Sequence, residues 1–99
     1  TVDSMFCELC NLIAEMYTLP PNNIVRINSM EIPVSTVVDI YKKLSSEHLE
    51  FVSGNFSKQK HLIKFKKTYL QTALYNSFFE YEAHYTNLVS HDLHRYYTN

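Results

Sequence analysis

The sequence predicts a mostly helical fold, a small bundle of about five helices, on three observations. There is one glycine and there are three prolines in 99 residues, too few turn residues for a sandwich or barrel of short strands. Apolar residues recur at three-and-four spacing through most of the chain, the period of helices with one buried stripe. Only "NNIVRINSMEIP", residues 22–33, departs from that period with a cluster of β-branched residues.

The first helix is expected over residues 3–18, where Met5, Phe6, Leu9, Leu12, Ile13 and Met16 share a stripe. Asp3 or Ser4 caps its start, and Leu19-Pro20-Pro21 stops it. Residues 24–32 then form a short two-stranded ribbon turning at Asn28-Ser29, or an irregular loop. Pro33 suits the first turn of a second helix with Val34, Val37, Val38, Tyr41 and Leu44 inward. Ser45 is the expected N-cap of a third, and Leu44 and Leu49 have the spacing of a hydrophobic staple. Leu49, Val52 and Phe56 continue its stripe, and Gly54 inside it costs about 1 kcal/mol relative to Ala. "SKQKHL", residues 57–62, has no periodicity and is expected as a loop. A fourth helix follows over about 63–77. "NSFFE" is expected to break the chain, and a fifth helix runs over about 79–95.

A chain of this length makes one domain, and its 45% hydrophobic content is that of a globular one. It starts at Thr1 rather than Met, so residues 1–99 are expected to be a single domain excised from a longer protein. The net charge of −1 excludes a wholly basic nucleic-acid-coating surface but leaves room for a local patch. No apolar run approaches the ~18 residues of a membrane span.

Residues that could carry chemistry are scattered. Cys7 and Cys10 are three apart, but zinc needs two more ligands and no second cysteine pair exists. They are expected to be reduced, with one or both in the core. His84, His91 and His94 share a stripe of the last helix; His91 and His94, three apart, make a pair that holds a metal only weakly, and His84 is two turns away and out of reach. Glu80 and Glu82 face different sides of a helix, and adjacent Ser90, His91 and Asp92 diverge, so neither set makes a catalytic group. With a single glycine there is no phosphate-cradling loop. The expectation is a non-enzymatic protein without cofactor, metal or small-molecule substrate.

The charge pattern is more informative. Lys58, Lys60, Lys64, Lys66 and Lys67 are five of the nine Lys and Arg residues, and no Asp or Glu occurs between Phe51 and Phe79. These lysines are the candidate partner- or DNA-contacting residues, because basic side chains beside aromatics hold single-stranded nucleic acid by phosphate pairing and stacking. In "KKTYLQTALYN", residues 66–76, Tyr69, Leu70, Ala73 and Leu74 are expected to be core, with Lys64, Lys66 and Lys67 facing outward.

With "HLEFV", "KKTYLQTALYN" and "VSHDL" in this order and spacing, the chain resembles the C-terminal domain of RepA_N-type plasmid replication initiators of Gram-positive bacteria. The likeness runs from about residue 48 to 94 and rests on Tyr69, Leu70, Ala73, Leu74, Tyr75 and Asn76, then His91 and Asp92. It implies a DnaD-like helical fold. The DnaD-type Tyr-x-x-x-Ile-x-x-x-Trp pattern is met at Tyr69, but Ala73 and Ser77 replace its Ile and Trp. The resemblance further implies a bacterial cytoplasmic module recruiting host primase or helicase-loading proteins to an origin bound by a separate winged-helix domain. The alternative is an auxiliary DNA-binding module working through residues 58–67. A dimer pairing through the ribbon at 24–32 is left open.

Overall fold

The computed structural model describes residues 4–97, and the side chains of residues 4–83. The order is α1 (Ser4–Tyr17), β1 (Ile24–Ile27), β2 (Met30–Pro33), α2 (Val34–Tyr41), α3 (Ser46–Gln59), a 3-10 turn (Lys60–Leu62) and α4 (Lys66–Tyr97). The mostly helical class with a small ribbon is as expected. Among the described residues the helices number four rather than five, because α4 runs unbroken through 76–80. No glycine or proline lies in that stretch, and its side chains have places on the helix. Ser77 is fully buried and donates its hydroxyl to the Leu74 carbonyl at 2.7 Å. Phe78 lies under Lys43, and Phe79 packs on Tyr75.

α4 is the axis of the domain. α1, α2, α3 and β1 all pack against it. Leu70 and Leu74 lie at the centre, fully buried, with Leu9, Leu12 and Met16 of α1, Val34, Val37 and Tyr41 of α2, and Leu49, Val52 and Phe56 of α3. A 32-residue helix is about 48 Å long, which accounts for the long dimension of a molecule measuring 54 × 31 × 26 Å.

The 22–33 stretch is an antiparallel hairpin in which Val25 faces Ile32 and Ile27 faces Met30. Ile27 and Ile32 are buried on that face, while Ile24, Arg26, Glu31 and Pro33 take the other. Asn28 and Ser29 both have positive φ, 56° and 63°, as the two central residues of a type I′ turn require. α2 follows at once without a side-chain cap. Its first N–H groups are satisfied by the preceding loop instead: Val34 donates to the Asn23 carbonyl at 2.7 Å and Ser35 to the Pro21 carbonyl at 3.1 Å. Pro33 therefore ends β2 just before the helix rather than opening its first turn.

Ser45 caps α3 as expected, in a capping box whose third position is His48 in place of the usual Glu or Gln. The Ser45 N–H donates to His48 Nδ1 at 3.0 Å. The Ser45 hydroxyl also holds the Glu47 carboxyl below the usual carboxylate range. With Nδ1 accepting, the neutral His48 ring carries its proton on Nε2. That nitrogen is buried without a hydrogen-bond partner among the described residues, 3.7 Å from Glu82 Oε1. The ring itself lies against Phe78 and Tyr81, which ties the start of α3 to the middle of α4.

Candidate functional site

The motif helix divides its residues as its spacing dictates. Leu70 and Leu74 are fully buried, and Tyr69 and Ala73 are half-buried against the same core. The Tyr69 hydroxyl stays at the surface, where it accepts from Gln59 Nε2 at 2.8 Å. Ser77 is enclosed on all sides, and a larger side chain there would have to displace the core.

The basic stretch divides into lysines with and without an ion-pair partner among the described residues. Lys66 pairs with Glu8 at 3.0 Å, and Lys67 pairs with Glu15 at 2.5 Å, both across to α1. Lys66 also lies 5.4 Å above the Phe56 ring. Both lysines face outward as expected, and each is also engaged with a carboxylate of α1. Lysines at a helix N-terminus oppose the macrodipole, and α4 has no acidic residue in its first turn. α1 supplies the missing carboxylates from outside the helix, so these two charges fasten α1 to α4.

The other three lysines remain available. Lys58, Lys60 and Lys64 are exposed and have no ion-pair partner among the described residues. Here α3 runs on to Gln59 and passes into the 3-10 turn, where a loop was expected. The Ile63 N–H closes that turn onto the Lys60 carbonyl at 3.2 Å, and the Ile63 side chain packs on the core. With Ile63 turned inward, its neighbours point out. Leu62 is 74% exposed and Phe65 68% exposed, and Lys64 Nζ lies 5.5 Å above the Phe65 ring. The result is two exposed apolar side chains, Leu62 and Phe65, on a connection that also carries Lys60 and Lys64, with Lys58 at the end of α3 just before it.

A groove of about 250 Å³ lies between α3 and α4, lined among others by Phe51, Asn55 and Gln59 of α3 and Thr72, Ala73 and Asn76 of α4. Elsewhere the expected core thiols are corrected: Cys7 and Cys10 are both free and exposed on α1, because Leu9 and Leu12 take its inward face. Among the described residues, no three His, Cys, Asp or Glu side chains gather as metal ligands. No helix there is long and apolar enough to cross a membrane. The side chains of Tyr85, Leu88, Val89 and Asp92, of His84, His91 and His94, and the Ser90-His91-Asp92 run, lie outside the described residues.

The sequence model of one family, described as "Family of unknown function (DUF6017)", matches residues 3–96. No curated protein and no solved structure matches the chain.

Proposed function

The chain belongs to this family, and we propose that it is the recruitment module of a plasmid replication initiator, acting in the bacterial cytoplasm. It docks host replication proteins, primase or the helicase-loading machinery, and brings them to an origin held by another domain of the same initiator. It works by recognition, with no bond made or broken and no cofactor. The replication context is supported by the ordered resemblance of residues 48–94 to RepA_N-type C-terminal domains. Docking is supported by Leu62 and Phe65, two large apolar side chains held in water on an anchored turn where burial would be worth about 1.5–3 kcal/mol each.

One observation favours a second reading. Lys58, Lys60 and Lys64 beside an exposed Phe65 also meet the minimum for an auxiliary site on single-stranded DNA. Anisotropy of labelled single- and double-stranded DNA at low and physiological salt, run beside a pull-down with purified primase and helicase loader, separates the two. Protein capture without DNA binding is the expected result. Salt-sensitive DNA binding with neither protein retained would replace recruitment by the DNA reading.

A further inference from the structure

Resting on the recruitment reading, we infer that the turn joining α3 to α4 receives a short acidic peptide segment of the partner protein, one carrying an apolar anchor side chain. The charge pattern argues for the acid. Lys58, Lys60 and Lys64 are exposed and have no ion-pair partner among the described residues, on the same short stretch as the exposed Leu62 and Phe65, and the chain has no Asp or Glu between Phe51 and Phe79 to answer them. An incoming carboxylate therefore meets three free ammonium groups and no competing internal acid on this segment.

The apolar pair argues for the anchor. Leu62 and Phe65 flank Ile63, which packs on the core and closes the turn by its hydrogen bond to Lys60, so the backbone that presents them is already ordered before binding. A partner leucine or phenylalanine would bury against these two side chains, with its flanking carboxylates answering the lysines of the same stretch.

The same geometry argues against nucleic acid as the occupant. Leu62 offers no ring for a base to stack on, and Lys64 already lies over the Phe65 ring. Further along, Glu8 and Glu15 occupy Lys66 and Lys67. A phosphate backbone following the basic stretch would run into two carboxylates, whereas a short peptide ends before them.

The test is amide chemical-shift mapping of the whole chain with three probes. They are the peptide Glu-Asp-Leu-Glu-Asp-Phe-Glu-Asp, the same peptide with Ser for Leu and Phe, and an oligothymidylate of equal charge. The first should shift residues 58–65 saturably, and the Ser version should bind about tenfold more weakly. Leu62→Ser/Phe65→Ser should abolish that difference, and Lys58→Glu/Lys60→Glu/Lys64→Glu should remove binding of both peptides. Four results each overturn the inference: no shift at about 1 mM peptide, shifts centred elsewhere, equal binding of the Ser peptide, or tighter binding of oligothymidylate at the same residues. Purified primase and helicase loader run in parallel separate the two levels of the claim. Capture by wild type and equally by Leu62→Ser/Phe65→Ser leaves recruitment standing and moves it to another surface. Capture by neither removes recruitment itself.

Discussion

Asn28 and Asn76, 48 residues apart, hold each other by two reciprocal hydrogen bonds between their side-chain amides. Asn28 Nδ2 donates to Asn76 Oδ1 at 2.7 Å, and Asn76 Nδ2 donates back to Asn28 Oδ1 at 3.1 Å. The pair pins the hairpin turn to the central helix at the edge of the α3–α4 groove. Asn28 has a second duty, since its φ of 56° suits Asn or Gly far better than other residues. Asn76→Ala should cost about 1 kcal/mol in urea unfolding, the low range because the bonds are exposed. Asn28→Gly should cost a similar amount, as it loses the bonds and keeps the turn. Asn28→Ala should cost about 1 kcal/mol more than Asn28→Gly. If the Gly and Ala variants unfold alike, the turn is not imposing its φ.

Tyr41 makes stability fall in alkali. It is almost fully buried in α2, and its hydroxyl donates to the Gln71 carbonyl of α4 at 2.7 Å. Burial pushes its phenol above the ordinary tyrosine range. In the unfolded chain it loses its proton near pH 10, while the folded chain keeps it. Above that pH the unfolded state binds fewer protons, so stability declines as pH rises; below it the contribution is complete. Tyr41→Phe should cost about 1 kcal/mol at pH 8, and this deficit should shrink between about pH 10 and 11. A deficit that stays constant over that range would mean the phenol titrates normally.

Periodicity revealed the elements whose burial is one-sided. Leu9, Leu12 and Met16, or Val34, Val37 and Tyr41, are apolar residues at helical spacing, and their helices bury those faces. The hairpin was half legible: β-branched residues marked it, but the Asn28–Asn76 bonds that seat it link distant positions. Residues 76–80 were misread because their mixed side chains find partners only in tertiary structure, Ser77 on the helix backbone and Phe78 against His48 and Lys43. His48 sits in the same helical row as Val52 and Phe56, so its burial was visible in spacing but hidden by its polarity. Of the site, the lysine cluster was plain in the sequence, whereas its division into paired and free charges was not. That depended on where α1 brings Glu8 and Glu15.

Gly54 lies inside α3, and a Cβ built there meets nothing within 4 Å. No turn, close approach or positive φ requires glycine at this position. Gly54→Ala should therefore stabilise the domain by about 0.5–1 kcal/mol, through a less mobile unfolded chain and better helix propensity. Thermal and urea melts check this. A destabilised variant would mean that α3 needs local flexibility or packs more tightly here than the open space shows.

Leu74 tests the central position of α4. It is fully buried among core residues of the surrounding elements. Leu74→Asp places an unpaired carboxylate there, a change worth most of a small domain's stability. It should abolish the cooperative melt seen by circular dichroism, and Leu74→Ala should lower stability by about 2–5 kcal/mol while leaving the fold intact. A wild-type melt for Leu74→Asp would place α4 in a different rotation about its axis.

The five lysines should separate into two classes by charge reversal. Lys66→Glu/Lys67→Glu turns two attractions to Glu8 and Glu15 into repulsions. The pairs are half-exposed, so each is worth at most about 1 kcal/mol. Glutamate at the α4 N-terminus also recovers part of that through the macrodipole. The double variant should lose about 1 kcal/mol, and adding Glu8→Lys/Glu15→Lys should restore the loss. Lys58→Glu/Lys60→Glu/Lys64→Glu touches no ion pair among the described residues and should melt within about 0.5 kcal/mol of wild type. Binding should follow the opposite order, lost in the triple variant and kept in the restored quadruple one. Equal stability losses in the two sets would mean that Lys66 and Lys67 do not fasten α1 to α4, and the whole stretch would then be open to a partner.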